Sequence, residues 1–438
     1  MTVRTFLSYV IPAVLAMTLS GVYAIVDGFF VGNRIGDMGL SAINFAYPVT
    51  ALLEAVGAGI GMGGAVHYAL AMGRGDLVRA RGCAAAALRT LVLAGLALSA
   101  VLWALAEPML YLMGARDGLL RLGTEYNRVI TAGGFLQILG VGLVPLLRNH
   151  AGSFPATAVM VTGFVLNIAL DYLLVWRVDW GMTGAALATV IGQGAAAALG
   201  AGLLLRRGAL DWRLPASGAS SLVRDILSVG AAPFGLAMTP NLSLVLMNGF
   251  SAHYGGEFAV AVYAVVAYSI CIVYLALQGV GEGSQPLMSF CCGRRDGRGL
   301  AQVQRWAAGF ALLLAAGSGA VFWRWGTDIS LFMGVSHAAA EASGAVYPVF
   351  IASLPFIALS RVAAAAFYAA GQSRPAQCLS WSEPLFLGGF LLTLPPFGGQ
   401  VMVWWSVTFA RIAAAAFAAY LWRRGRAGFL SPERRAAA

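Results

Sequence analysis

The sequence predicts an all-α integral membrane protein, with twelve transmembrane helices in two six-helix, pseudo-symmetric halves. Three observations carry that prediction. The first is composition. Of 438 residues, 60% are apolar and 11% charged, against about 45–50% and 25% in soluble domains. The second is run length. Twelve apolar runs fall near 6–31, 41–72, 83–106, 126–148, 155–177, 182–206, 222–251, 258–290, 302–325, 343–368, 375–397 and 399–424. Each is near the roughly 20 residues that cross a bilayer. The third is an internal repeat.

Asp27-Gly28-Phe29 returns 221 residues later as Asn248-Gly249-Phe250, and Pro12 returns as Pro233 at the same offset. Gly59, Gly61 and Gly63 recur as Gly279, Gly281 and Gly283 at an offset of 220, and so do Asp76 as Asp296 and Met113-Gly114 as Met333-Gly334. A nearly constant offset across a whole half marks a tandem duplication, a common way to build a transporter. It divides the chain into a first half at 1–206, a polar linker at 207–221, a second half at 222–424 and a basic tail at 425–438.

The net charge of +10 comes with no lysine at all; the 28 basic residues are arginines. They cluster in alternate loops, at Arg74, Arg79 and Arg81, at Arg206, Arg207 and Arg213, at Arg294, Arg295 and Arg298, and in the tail. That alternation reads as positive-inside topology with both termini cytoplasmic, not as a nucleic-acid surface. No lysine is present to act as nucleophile or Schiff base. Five scattered cysteines and four histidines give no metal spacing, so neither an enzyme nor a bound cofactor is expected.

Each span adds something in turn. The first contains Pro12, which removes a backbone hydrogen bond and permits a bend. About four turns later comes Asp27, a carboxylate that costs roughly 2.5–3.5 kcal/mol in a bilayer centre and therefore points to a bundle interior. Glu54 in the second span is another such carboxylate. The glycine ladder after it, Gly57 to Gly64, reads as close helix packing. Glu107, Asp117 and Glu125 read as an outer loop between the third and fourth spans, and Gln137 as a polar group inside the fourth. The fifth span reads FVLNIALDYLLV, with Asn167 and Asp171 four apart on one helical face. The sixth offers Thr189.

The second half departs from its template. An amide, Asn248, stands where the first half has Asp27, and its eleventh span has no Asn-x-x-x-Asp pair. It carries Glu282, Arg361, Glu383 and Arg411 instead. These read first as structural ion pairs, with substrate binding or coupling as the alternative.

In order and spacing, these motifs resemble the MATE family (multidrug and toxic compound extrusion transporters), over nearly the whole chain. The resemblance rests on Asp-Gly-x-x-x-Gly closing span one, NIALDYLL in span five, GMTGAALAT opening span six and GEGSQPLMS leaving span eight. It implies a cation-coupled antiporter in the inner, plasma membrane. In the DinF-like branch, cation coupling is assigned to residues that fall here on Asp27, Asn167, Asp171 and Thr189, with Pro12 as the span-one bend. The coupling ion would be H⁺ or Na⁺; the residues leave both open, with H⁺ preferred. The expected substrate is a small organic, amphipathic and cationic solute, because an apolar, aromatic and methionine-lined cavity tolerates many such shapes. A monomer in the lipid bilayer is expected. The alternatives are a flippase for a lipid-linked or polyanionic precursor and a non-transporting membrane scaffold.

Overall fold

The computed structural model describes residues 1–208, 219–333 and 335–425. The central part of the linker, most of the basic tail and Gly334 lie outside the described residues. The described residues form twelve α-helices. The first seven are α1 (Val3–Arg34), α2 (Asp37–Arg74), α3 (Leu77–Leu112), α4 (Asp117–Ala132), α5 (Gly134–Ala151), α6 (Ser153–Asp171) and α7 (Gly181–Arg206). The rest are α8 (Ala219–Gly293), α9 (Gly297–Phe332), α10 (His337–Ala369), α11 (Ser373–Thr393) and α12 (Pro395–Gly425).

Nine of these helices are long and apolar enough to cross a membrane, and the pair α4–α5 makes a tenth as one bent span. α8 is too long to be one crossing: its 75 residues would stretch about 110 Å at 1.5 Å each, against a hydrocarbon core of about 30 Å. It is two helices joined across a kink at Gly256, whose φ of 67° only glycine adopts freely. The two runs read at 222–251 and 258–290 are these two parts. α11 is the remaining span; Arg374, Gln377 and Glu383 lower its hydropathy. Twelve spans result.

Two local expectations are corrected. The segment with Asp117 and Glu125 is helical, not a loop. Five of its six buried residues, Gly123, Tyr126, Asn127, Ile130 and Thr131, fall at the i, i+3, i+4, i+7, i+8 spacing of one helical face. Its charges sit elsewhere: Arg128 pairs with Glu107 at 3.1 Å, and Glu125 accepts from the Thr183 hydroxyl at 2.6 Å. The fourth span also does not run straight. It bends by 56° at Gly133, where a Cβ would lie 2.3 Å from the Val190 side chain of α7.

The contacts resolve into two compact units, Met1–Thr18 with Met238–Ala438, and Leu19–Ala237. They depart from the sequence halves in a symmetric way. The first eighteen residues of the chain, which include the start of α1, pack with the second half, and the start of α8 packs with the first. Pro12 and Asp27 on α1 therefore lie in different units, as do their repeat partners Pro233 and Asn248 on α8. α1 itself runs unbroken through Pro12.

The duplication is legible atom by atom. In the Leu19–Ala237 unit, Cβ atoms on Gly59 and Gly63 would meet backbone of Gly230 and Ile226 on α8 at 2.8 and 2.1 Å. In the other unit, Cβ atoms on Gly279 and Gly283 would meet Val14 and Val10 of α1, each at 2.8 Å. Asp76 and Asp296 cap α3 and α9 in the same way, each carboxylate accepting a backbone N–H three residues on at 2.9 Å. Gly75 and Arg295 precede them, both at positive φ. Close backbone approach is thus what the glycine ladder does. Gly61 gives the sharpest test, because its Cβ would stand 2.1 Å from the Gly142 carbonyl oxygen. Gly61→Ala should cost about 1–3 kcal/mol by overpacking. Gly32→Ala, with nothing within 4 Å of the added Cβ, should cost nothing measurable. Thermal unfolding of the two variants in detergent checks the contrast.

Candidate functional site

The Leu19–Ala237 unit gathers the acidic and amide groups named from the sequence. α6 brings Asn167 and Asp171 onto one face, 2% and 0% exposed. The helix then widens into a π-helical turn, Tyr172–Arg177, a feature often found at functional positions. α7 supplies Thr189, buried beside Asn167: the Asn167 amide donates to its Oγ1 at 3.4 Å, and the Thr189 hydroxyl donates back to the Ala185 carbonyl at 3.2 Å. α1 supplies Asp27, which meets Asp171 carboxyl to carboxyl.

That last contact carries the chemistry. Two ionised carboxylates are acceptors only, and they repel. Facing each other, they form a hydrogen bond only when one carries a proton, and otherwise need a cation between them. Among the described residues, Asp27 Oδ1, both Asp171 oxygens and Asn167 Oδ1 are buried without a hydrogen-bond donor. In a medium where an unmet polar group costs about 1–3 kcal/mol, a proton or a small hard cation would satisfy these four oxygens.

Two residues join this cluster that sequence reasoning missed, and a third buried polar residue, Asn127, follows one of them on α4. Tyr23 of α1 and Tyr126 of α4 both approach the Thr189 hydroxyl and lie within the fields of Asp27 and Glu54. Tyr23 is stacked on Phe164 of α6, ring centroids 5.0 Å apart. Asn127 is fully buried, and neither its side-chain oxygen nor its nitrogen has a partner. Helical spacing along α4 could have flagged Tyr126 and Asn127. Tyr23 lies four residues before Asp27, so the same one-face spacing could have flagged it. Glu54 and Gln137 meet as a pair, with the amide donating at 3.4 Å.

The second half's charges assemble separately, within the other unit. Glu383 of α11 accepts from Arg411 Nε of α12 at 3.0 Å, and its other oxygen lies 3.8 Å from Arg361 of α10. Arg411 also donates to Ser353 at 2.8 Å and to the Tyr274 hydroxyl. Glu282 accepts from Gln278 at 3.0 Å. Asn248 keeps a buried oxygen without a donor. No group of three or more His, Cys, Asp or Glu suited to a metal occurs among the described residues.

Residues 12–173 and 236–382 match the MatE family. The chain belongs to that family. Its members are transporters, so the protein is a transporter and not an enzyme. The multidrug export protein MepA of Staphylococcus aureus is 24% identical over 419 residues, covering 94% of this chain and 91% of its own. Among solved structures, an outward-facing multidrug resistance MATE family transporter of the MOP superfamily superimposes with a TM-score of 0.91. It is 22% identical, covering 98% of this chain and 96% of that one. The Vibrio cholerae MATE transporter VcmN gives 0.91 at 19% identity, covering 97% of each chain. At those identities the structural likeness establishes the fold.

Proposed function

We propose that the protein exports small organic solutes across the bacterial plasma membrane in exchange for a cation, with Asp27, Asn167, Asp171 and Thr189 as the coupling site. The observation that carries this reading is the buried Asp27–Asp171 pair, which requires a proton or a cation to be stable. A multidrug exporter among its relatives supports the solute class. Proton coupling is the preferred form, because one shared proton satisfies the pair directly. Asn167 and Thr189 are the oxygens that would complete a sodium shell.

A single coupling site, in one unit, follows from the asymmetry of the repeat. Asn248 cannot titrate, and Glu383 already has Arg411 as a covalently built-in counter-cation. α1 offers the mechanical link. It carries Asp27 in one unit and Pro12 in the other, so neutralising the carboxyl pair changes the forces on a helix that both units share. Alternation of the two repeats then exposes the site to either side. The arginine-rich loops at 73–82 and 291–300 and both termini are placed in the cytoplasm. Single cysteines at the exposed positions of Arg79 and Arg298 should label only from that side.

The experiment is efflux of a fluorescent organic cation from proteoliposomes, with pH and sodium gradients imposed one at a time. A pH gradient alone is expected to drive accumulation. For one proton against one monovalent solute the membrane potential cancels, and each pH unit supports about a tenfold ratio, or 1.4 kcal/mol. With two protons, one net charge moves, and the potential adds roughly 2.3 kcal/mol per 100 mV. Accumulation driven only by sodium would replace the proton with Na⁺ at the same oxygens. No accumulation under either gradient would reject exchange.

A further inference from the structure

The interior of the Leu19–Ala237 unit holds a file of polar side chains beside the coupling site. Its geometry follows from close contacts at glycines. α2 lies parallel to α4 and α5: Ala42 meets Gly123, Leu53 meets Gly134, Gly57 meets Ile138 and Gly61 meets Gly142, all at one constant offset. α3 lies antiparallel to them: Leu110 meets Gly123, Ser99 meets Gly134 and Leu91 meets Gly142. In each case a Cβ on the glycine would fall within 4 Å of its partner. These two registers give the depth of each residue along the shared axis.

By those registers, Asn127 of α4 stands level with Ala46 of α2 and Ala106 of α3. Both alanines are buried, and neither side chain can donate or accept. The Asn127 amide is 0% exposed, and its oxygen and its nitrogen both lack a partner. One turn toward the α3–α4 connection, Thr124 Oγ1 is also buried without a partner. One turn the other way, Thr50 Oγ1 is buried without one, at the level of Thr131. Ser99 Oγ follows, again without a partner and 2.7 Å from the Cβ position of Gly134. The next turn brings Gln137, whose amide donates to Glu54 at 3.4 Å.

An unmet buried polar group costs about 1–3 kcal/mol, and this file has five such atoms in succession. Water suits them, because it both donates and accepts and makes about three hydrogen bonds in a buried polar site. Levels one helical turn apart, about 5.4 Å, are bridged by one or two waters. At the far end, Tyr23 and Tyr126 lie within the fields of both Glu54 and Asp27 and approach the Thr189 hydroxyl. The file therefore ends within reach of the coupling pair.

We propose that this file is a hydrated proton path. It leads from the α3–α4 connection, outer in the topology given above, through Thr124, Asn127, Thr50 and Ser99 to Glu54. Glu54 takes the proton from the last water and passes it to the Asp27–Asp171 pair by way of the phenols. Asn127 orients the waters and is a positioning residue. The purpose of the path rests on the proton form of the exchange reading, and its conduction is measured separately from transport.

The test is infrared spectroscopy of the purified full chain in sodium-free detergent solution, mixed rapidly from water into D2O. It follows the protonated carboxyl band that Asp27→Asn removes, and so reads how fast a proton at the pair exchanges with solvent. Asn127→Leu should slow that exchange by about tenfold or more, as loss of a positioned proton carrier does, while the band itself stays. Asn127→Ser, which keeps a polar group and leaves more space for water, should restore most of the rate. Glu54→Gln should be as slow as Asn127→Leu. Thr50→Val keeps the side-chain shape and repeats the test where the leucine variant does not fold. Exchange as fast as wild type in Asn127→Leu or Thr50→Val, with the band present, would overturn the path and leave the coupling site untouched. So would an Asn127→Ser protein as slow as Asn127→Leu, the result expected of an amide with a packing role only. A wild type without the band would defeat the proton form of exchange and the path with it.

Discussion

Asp27→Asn and Asp171→Asn are each expected to abolish gradient-driven solute accumulation while leaving the protein folded, inserted and able to bind solute. The argument is one of charge at constant shape. Asparagine fills the same volume and can donate to the carboxyl that remains, so the contact between α1 and α6 survives without a proton or cation. What disappears is the need for one. A pair that is satisfied in both halves of the cycle has nothing to exchange. The sign on stability distinguishes this from misfolding. Two facing carboxyls are a strained arrangement, and replacing one should leave thermal stability unchanged or raise it by about 0.5–2 kcal/mol, as relief of functional strain does elsewhere. A transporter that loses uphill movement while melting no earlier has lost coupling, not structure. Proteoliposome efflux at clamped potential, beside unfolding in detergent, reads both. Unimpaired accumulation in both variants would move coupling to the other unit, where Glu282 is the acid to test next.

The second large effect is expected at Glu383. It lies between Arg361 and Arg411, and both arginines are buried beside it. Glu383→Gln keeps the shape but removes the carboxylate that both guanidiniums share. Breaking a buried ion pair from one side costs about 3–5 kcal/mol, because the remaining charge stays desolvated. Replacing Arg361, Glu383 and Arg411 together by apolar residues of similar volume should cost far less, since no charge is then left behind. Comparing the single and triple variants by thermal unfolding separates the two. A Glu383→Gln protein as stable as wild type would mean that the cluster is open to water.

Much of this is legible in the sequence. Run length and repeat offset fixed the number of spans, because a bilayer imposes one length on every crossing. The Asn167–Asp171 spacing placed both on one face for the same geometric reason. Other features were hidden for equally physical reasons. The break at Gly133 depends on Val190 of another helix, and glycine in an apolar span has many uses. Glu54 and Gln137 are 83 positions apart, and nothing local pairs them. The polar look of Asp117–Ala132 concealed a helix whose buried face is marked by tyrosine, asparagine and threonine more than by aliphatics. The division of α1 and α8 between the two units is a property of packing. No residue in either helix announces it.

The central claim is that a cation held by Asp27 and Asp171 leaves when solute binds. The most direct measurement is proton release on solute binding, recorded with a pH indicator on purified protein in weakly buffered, sodium-free detergent solution. The wild type should release about one proton per bound solute, the one shared by the pair. Asp27→Asn and Asp171→Asn should bind the same solute and release none. Equal release from wild type and both variants would contradict the account.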